Sequence, residues 1–107
     1  MALIPTHTVT AAGTAPTFGA AAAADTAETG GRTYLVCRNT NVASRTVTIA
    51  GQATLPSGVA FPDRVYTLAA DTGELWIPLI AQYRNVDGVA EITWSATEGV
   101  TRAVVKL

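Results

Sequence analysis

The sequence predicts an all-β fold, an antiparallel β-sandwich or small barrel of about seven strands behind an extended N-terminal arm rich in alanine and threonine. Apolar and polar residues alternate with a period of two in several short segments after Arg32. Turn-forming pairs such as Asp87-Gly88 separate these segments at roughly 8–15 residue intervals. Long helical patterns do not alternate with the strands, so a parallel α/β sheet is not expected.

The 107-residue length fits one domain. A chain of this size buries about 65% of its unfolded surface, so a core forms without disulfides or metals. The sequence has one cysteine, Cys37, and one histidine, His7. These counts exclude an internal disulfide framework and a cysteine-rich zinc site, and they disfavour histidine-based triads. We expect no cofactor and no metal.

The charge balance narrows the set of partners. The formal net charge is -1 and 14% of residues are charged, against roughly 25% in an average domain. Six arginines and one lysine do not make a polybasic surface for nucleic acid or lipid. No apolar stretch reaches the ~18 residues of a membrane span. Without a basic n-region we expect no signal peptide, and the unpaired cysteine favours folding in the cytoplasm.

The first third of the chain differs from the rest. Residues 1–31 are dominated by alanine, threonine and glycine, although Thr6–Thr10 is a candidate first strand. The Ala20–Ala24 run has helix propensity, but glycines flank it and short isolated helices are marginal in water. We therefore predict an extended segment over 1–31, either a flexible linker or an arm along a neighbouring subunit. The sandwich domain is assigned to 32–107, where strand periodicity begins.

Three strands follow the arm. Thr33–Arg38 is β-rich and apolar on both faces, which predicts a buried central strand. Arg45–Ala50 alternates, with Val47 and Ile49 directed inward. Val65–Ala69 alternates in the same way.

The next strand, Glu74–Leu79, places Leu75 and Ile77 on the core face and Trp76 on the opposite face. Pro78 cannot donate to a ladder, so this strand ends there or lies at a sheet edge.

The chain closes with a helical turn and two strands. Leu79–Arg84 breaks the alternation and predicts one helical turn. Glu91–Ala96 directs Ile92 and Trp94 to the core, and Val100–Leu107 forms the final strand.

No combination of residues predicts catalysis. Cys37 lies in the middle of an apolar strand, where cysteine is usually inert packing. His7 lies near the N-terminus and is better explained as a surface or interface residue. The acidic residues are scattered along the chain, mostly in turns. Asp residues are common in turns because their side chains form hydrogen bonds with nearby backbone groups, so no catalytic role is needed to explain them. We therefore expect no enzyme activity.

The candidate functional residues are surface anchors. Trp76 points away from the core. Three roles are open to it: covering the second face of the sheet, binding carbohydrate, or anchoring a protein interface. Tyr83 and Arg84 form a second candidate pair, since Tyr, Trp and Arg are enriched at interfaces. Phe18, in the N-terminal arm, is the fourth interface candidate.

Several segments together resemble a known group of proteins. The chain is similar to small structural proteins of tailed bacteriophages that infect actinobacteria, encoded among the virion assembly genes. The resemblance covers nearly the whole chain, and its motifs are structural rather than catalytic. The segments that carry it are Thr8–Ala27, Tyr34–Asn39, Glu74–Leu79, Gln82–Asn85, Ile92–Ala96 and Val100–Leu107.

The resemblance implies a capsid decoration (cement) or minor head protein, and we expect a decoration protein at the capsid surface of the virion, made in the host cytoplasm. Its expected partners are the major capsid protein and further copies of itself, as a homotrimer. Low charge limits the desolvation cost of burying such a surface. Two alternatives stay open: a head–tail connector or neck protein, and a carbohydrate-binding β-sandwich for host attachment.

Overall fold

The computed structural model describes residues 2–13, 16–54 and 56–107, and its regular secondary structure is almost entirely short strands. A three-residue 3₁₀ helix, Ala81–Tyr83, lies between β8 and β9. The described strands are β1 Ala2–Leu3, β2 Thr6–Thr8, β3 Gly19–Ala20, β4 Ala24–Glu28, β5 Thr33–Asn39, β6 Arg45–Ile49, β7 Arg64–Leu68, β8 Gly73–Pro78, β9 Val89–Trp94 and β10 Val100–Lys106.

These strands form two separate sheets, so the fold is a sandwich and not a closed barrel. Sheet A has the order β1-β4-β9-β6-β7, and sheet B has the order β2-β10-β5-β8, with β3 beside β10. Most neighbours are antiparallel, as predicted, but β1 pairs with β4 and β2 with β10 in parallel. The all-β prediction is confirmed, although the described residues contain ten strands where about seven were expected.

The core lies between the sheets and follows the alternation read from the sequence. Val47 and Ile49 of β6 are fully buried, as predicted, and so is Ile92 of β9. Trp94 joins them with 9% of its surface exposed. The predicted central strand is confirmed as β5, which lies between β10 and β8. The predicted helical turn is confirmed by the 3₁₀ helix.

The N-terminal third is extended, as predicted, but it pairs within the molecule. Its described residues form β1 and β4 of sheet A and β2 and β3 of sheet B. The candidate first strand at Thr6–Thr10 is confirmed as β2, whereas β1, β3 and β4 were not predicted. Ile4 and Ala27 are 2% and 0% exposed within the common core. The residues assigned to an arm thus supply core side chains and sheet edges; Met1, Thr14 and Ala15 lie outside the described residues.

A buried carboxylate joins the two sheets. Asp25 of β4 has no exposed surface, and its carboxylate oxygens accept two hydrogen bonds of 3.0 Å from the Arg102 guanidinium of β10. The indole Nε1 of Trp94 donates a third at 3.0 Å, and the backbone N–H of Ala22 a fourth at 3.1 Å. A Cβ at Gly19 would lie 2.6 Å from Arg102 Nη1. A side chain at position 19 would therefore have to displace the Arg102 guanidinium.

Strand β8 forms one edge of sheet B, which confirms the edge position predicted from Pro78. Strand β7, on the other side of the turn at residues 69–72, forms an edge of sheet A. Among the described residues no helix has the length and apolar character needed to span a membrane.

Candidate functional site: the outer aromatic face

The surface that carries Trp76 is the outer side of sheet B along β5 and β8. The register pairs Val36 with Trp76 and Arg38 with Glu74, so alternate residues of the two strands share this side. Trp76 is 54% exposed, which confirms that its side chain points away from the core. We call the patch formed by Phe18, Tyr34, Arg38, Glu74 and Trp76 the outer aromatic face.

Arg38 holds this face together. Its guanidinium carbon lies 4.0 Å from the centroid of the Phe18 ring, within the range of a cation–π contact. Its Nε donates to Glu74 Oε1 at 2.6 Å across the β5–β8 pair. Both partners of this ion pair are about half exposed, so it adds little to stability. Arg38 thus contacts both the Phe18 ring and the Glu74 carboxylate.

Glu74 is kept in its ionised form. The hydrogen bond from Arg38 lowers the pKa of Glu74 below its ordinary value, and a hydrogen bond from the Trp76 side chain lowers it further. On the other side, Trp76 lies 6.5 Å from Tyr34 between ring centroids, with the rings tilted by 58°. The exposed indole is thus oriented by Glu74 and Tyr34 together.

The segment before β3 covers the middle of sheet B on the same side. Thr17 donates its N–H to Nε2 of His7 at 3.4 Å, and Phe18 stacks on Arg38. Three apolar side chains on this side are 1–2% exposed, although they point away from the inter-sheet core. The N-terminal segment therefore packs on its own sheet. The three side chains are Val36, Ala103 and Val105.

Two of the four predicted anchors do not belong to this face. Tyr83 is only 2% exposed and packs edge-on against Phe61, at 5.8 Å between ring centroids, in the inter-sheet core. The prediction that Tyr83 anchors an interface is wrong, because its 3₁₀ helix turns the ring inward. Arg84 is exposed, and its Nε donates to Thr29 Oγ1 at 2.9 Å. The structure brings together Phe18 and Trp76 only.

Sequence reasoning missed Tyr34, Arg38 and Glu74. The outward phase of Glu74 was visible, since it alternates with Leu75 and Ile77, whereas β5 is apolar on both faces and gives no phase for Tyr34 and Arg38. What was not visible is that β5 pairs with β8, because 33 residues separate the two strands in the chain. Opposite charges at Arg38 and Glu74 were the one available signal for that pairing.

The described residues contain no group of three or more metal-ligating side chains. Asp25 has its carboxylate fully used by Arg102, Trp94 and Ala22. A shallow pocket at the end of the outer aromatic face, between Arg38 and Asp71, includes Asn39. The side-chain amide of Asn39 already donates hydrogen bonds to the carbonyls of Ala43 and Ala69. These polar groups hold turns in place.

Cys37 provides a direct check on the buried face of β5. The thiol has no exposed surface, and burial raises its pKa to about 12, although a contact with the Leu75 carbonyl acts in the opposite direction. Because the thiolate is the reactive form, we expect no reaction with a thiol reagent at pH 8 until the protein unfolds. Stoichiometric labelling in denaturant and none in buffer is the expected result. Rapid labelling of the folded protein would contradict the buried position.

No protein-family model matches this chain, and no curated protein or solved structure matches it at a significant level.

Proposed function

We propose that this chain is a structural protein of a bacteriophage virion, a decoration (cement) protein that binds the major capsid protein lattice and stabilises the head. In this proposal the chain is an assembly protein without enzymatic activity. Segments such as Tyr34–Asn39 and Glu74–Leu79 resemble small structural proteins of tailed bacteriophages, and this resemblance supports a place in a phage head. The observation that carries the proposal is Trp76, a large apolar side chain that is 54% exposed and lies against the Tyr34 ring.

An exposed and oriented indole has the properties of an interface anchor. Tryptophan is enriched among the residues that contribute most to binding, and the apolar centre of an interface is surrounded by a ring of polar residues. Arg38 and Glu74 provide that ring here, and their mutual ion pair means that neither brings an uncompensated charge into an interface. A partner that covers this face therefore gains apolar contact at a small desolvation cost.

The geometry does not favour the carbohydrate-binding alternative. A sugar platform needs flat, coplanar aromatic rings open to solvent. Tyr34 and Trp76 are inclined by 58°, and Tyr34 is only partly exposed. A glycan array is expected to show no binding.

The proposal is tested on phage heads that lack the protein. Adding the wild-type chain should raise the temperature at which the heads rupture, because many identical copies multiply a modest contact through avidity. Trp76→Ala should fold with a change in stability within about 1 kcal/mol but should no longer protect the heads. Val86→Ala is the matched control, since Val86 is also an exposed apolar residue but lies in the turn before β9. Equal rupture temperatures with and without the wild-type chain would overturn the cement function.

A further inference from the structure

The free edge of β8 has a defined hydrogen-bonding phase. Leu79 donates its N–H to the Thr33 carbonyl, and Leu107 donates to the Arg32 carbonyl on the other side of β5. In an antiparallel ladder such bonded pairs recur every second residue. The odd-numbered residues of β8 are therefore bonded to β5. The N–H and C=O groups of Glu74 and Trp76 point away from the sheet.

These edge groups are open in the part of the chain that the structure describes. β8 has no neighbour other than β5, and no described hydrogen bond uses the backbone of Glu74 or Trp76. Edge strands are normally protected by charge, proline or a covering segment. Here Pro78 ends the strand on one side and the turn before Gly73 ends it on the other. A short open edge with an exposed tryptophan at its centre remains.

We infer that β8 pairs antiparallel with β8 of a second copy of this chain about a two-fold axis, with Glu74 opposite Trp76 of the other copy. In this register the N–H and C=O groups of Glu74 and Trp76 in both copies are all used, giving four hydrogen bonds between the chains. In the alternative register the two-fold axis passes through residue 76 instead of residue 75, and Glu74 then lies opposite Pro78 of the other copy. That arrangement leaves the Glu74 carbonyl without a donor, because proline has no N–H.

The side chains in this register are complementary on both faces. On the outer face Trp76 of one copy lies beside Glu74 of the other, so the two carboxylates are not opposed, and each stays paired with its own Arg38. On the inner face the two-fold axis brings Leu75 against Leu75, and Leu75 is only partly buried in the single chain. Pairing thus joins the two outer aromatic faces into one surface that carries two tryptophans.

The inference rests on the sheet edge and does not depend on the proposed place in a phage head. It predicts a two-fold assembly, in contrast to the homotrimer expected from the sequence. Loss of pairing and loss of head protection are measured in separate experiments, so each can fail alone.

Sedimentation equilibrium over a wide concentration range tests the pairing. The wild-type chain should show a monomer–dimer equilibrium. Glu74→Pro removes one edge N–H per chain, and with it two of the four bonds, but no bond of the β5–β8 ladder. At roughly 1 kcal/mol per bond, its dimer dissociation constant should rise at least about tenfold. Glu74→Ala, which keeps the N–H, is the matched control and should rise much less. A monomer or a trimer for the wild-type chain, or equal effects of the two substitutions, would overturn the inference.

A cross-link tests the register independently. In the proposed pair the two copies of residue 75 face each other without hydrogen bonds, at a Cα separation of about 4.5 Å that suits a disulfide. Leu75→Cys in a Cys37→Ala background should therefore oxidise to a covalent dimer, whereas Trp76→Cys in the same background should not. Efficient cross-linking through position 76, or none at position 75, would exclude this register.

Discussion

Replacing Asp25 by alanine is expected to lower the free energy of unfolding by about 3–5 kcal/mol, because removing one partner of a buried ion pair leaves the other uncompensated. Arg102, whose side chain is only 11% exposed, would lose the acceptor of both its hydrogen bonds. The Trp94 indole and the Ala22 amide would lose theirs as well. Urea denaturation followed by tryptophan fluorescence measures the change.

A double variant shows whether the lost stability comes from leaving the buried Arg102 without a carboxylate partner. Asp25→Ala combined with Arg102→Met removes both charges and leaves an apolar side chain of similar length. It should recover at least half of the stability lost by Asp25→Ala alone, since apolar replacements of buried pairs are often neutral or stabilising. If the two variants are equally unstable, the carboxylate is needed for the strand geometry and not for charge compensation.

Deleting residues 1–28 is expected to abolish cooperative folding. The deletion removes β1 to β4, exposes the edge of β9 in sheet A, and takes Ile4, Ala27 and Asp25 out of the core. Circular dichroism on heating should show no sigmoidal transition in the truncated chain. This expectation reverses the one drawn from the sequence, in which the same segment is an arm outside the folded domain.

Fragment complementation distinguishes a missing sheet from general damage. A synthetic peptide of residues 1–31 added to the truncated chain should restore the thermal transition, because its strands have defined positions in both sheets. The matched control is the same peptide with Asp25→Ala, which should restore it only weakly. A truncated chain that melts cooperatively by itself would show that the segment is dispensable for folding.

The sequence was informative wherever bulky apolar residues alternate, and β5 to β10 show this. Their positions were predicted to within two residues at each end. The inward direction of Val47, Ile49 and Trp94 and the outward direction of Trp76 follow from that period. β4 could not be recognised in this way, since Ala24–Glu28 contains no bulky apolar residue. Its burial arises from Arg102 and Trp94, which come from distant parts of the chain.

The residues of the candidate site also differ in how far the sequence could place them. Trp76 was found because exposure depends on local phase alone. Tyr83 was misplaced because the 3₁₀ helix sets the direction of its ring, and a three-residue helix has too little pattern to show a face. The contribution of Arg38 and Glu74 required knowledge of which strands are neighbours, which is a property of the topology and not of either strand.

The position of β10 has a consequence for how the chain folds during synthesis. β10 follows the other described strands in sequence, yet β5, β2 and β3 all pair with it, and its Arg102 closes the contact with Asp25 across 77 residues of sequence. Neither β2 nor β3 has a sheet to join until β10 has emerged from the ribosome, so folding is governed by late, long-range closure. During that delay the N-terminal strands are exposed to other nascent chains. Their composition is rich in alanine and threonine and low in bulky apolar residues, so these strands lack the hydrophobic segments that promote aggregation.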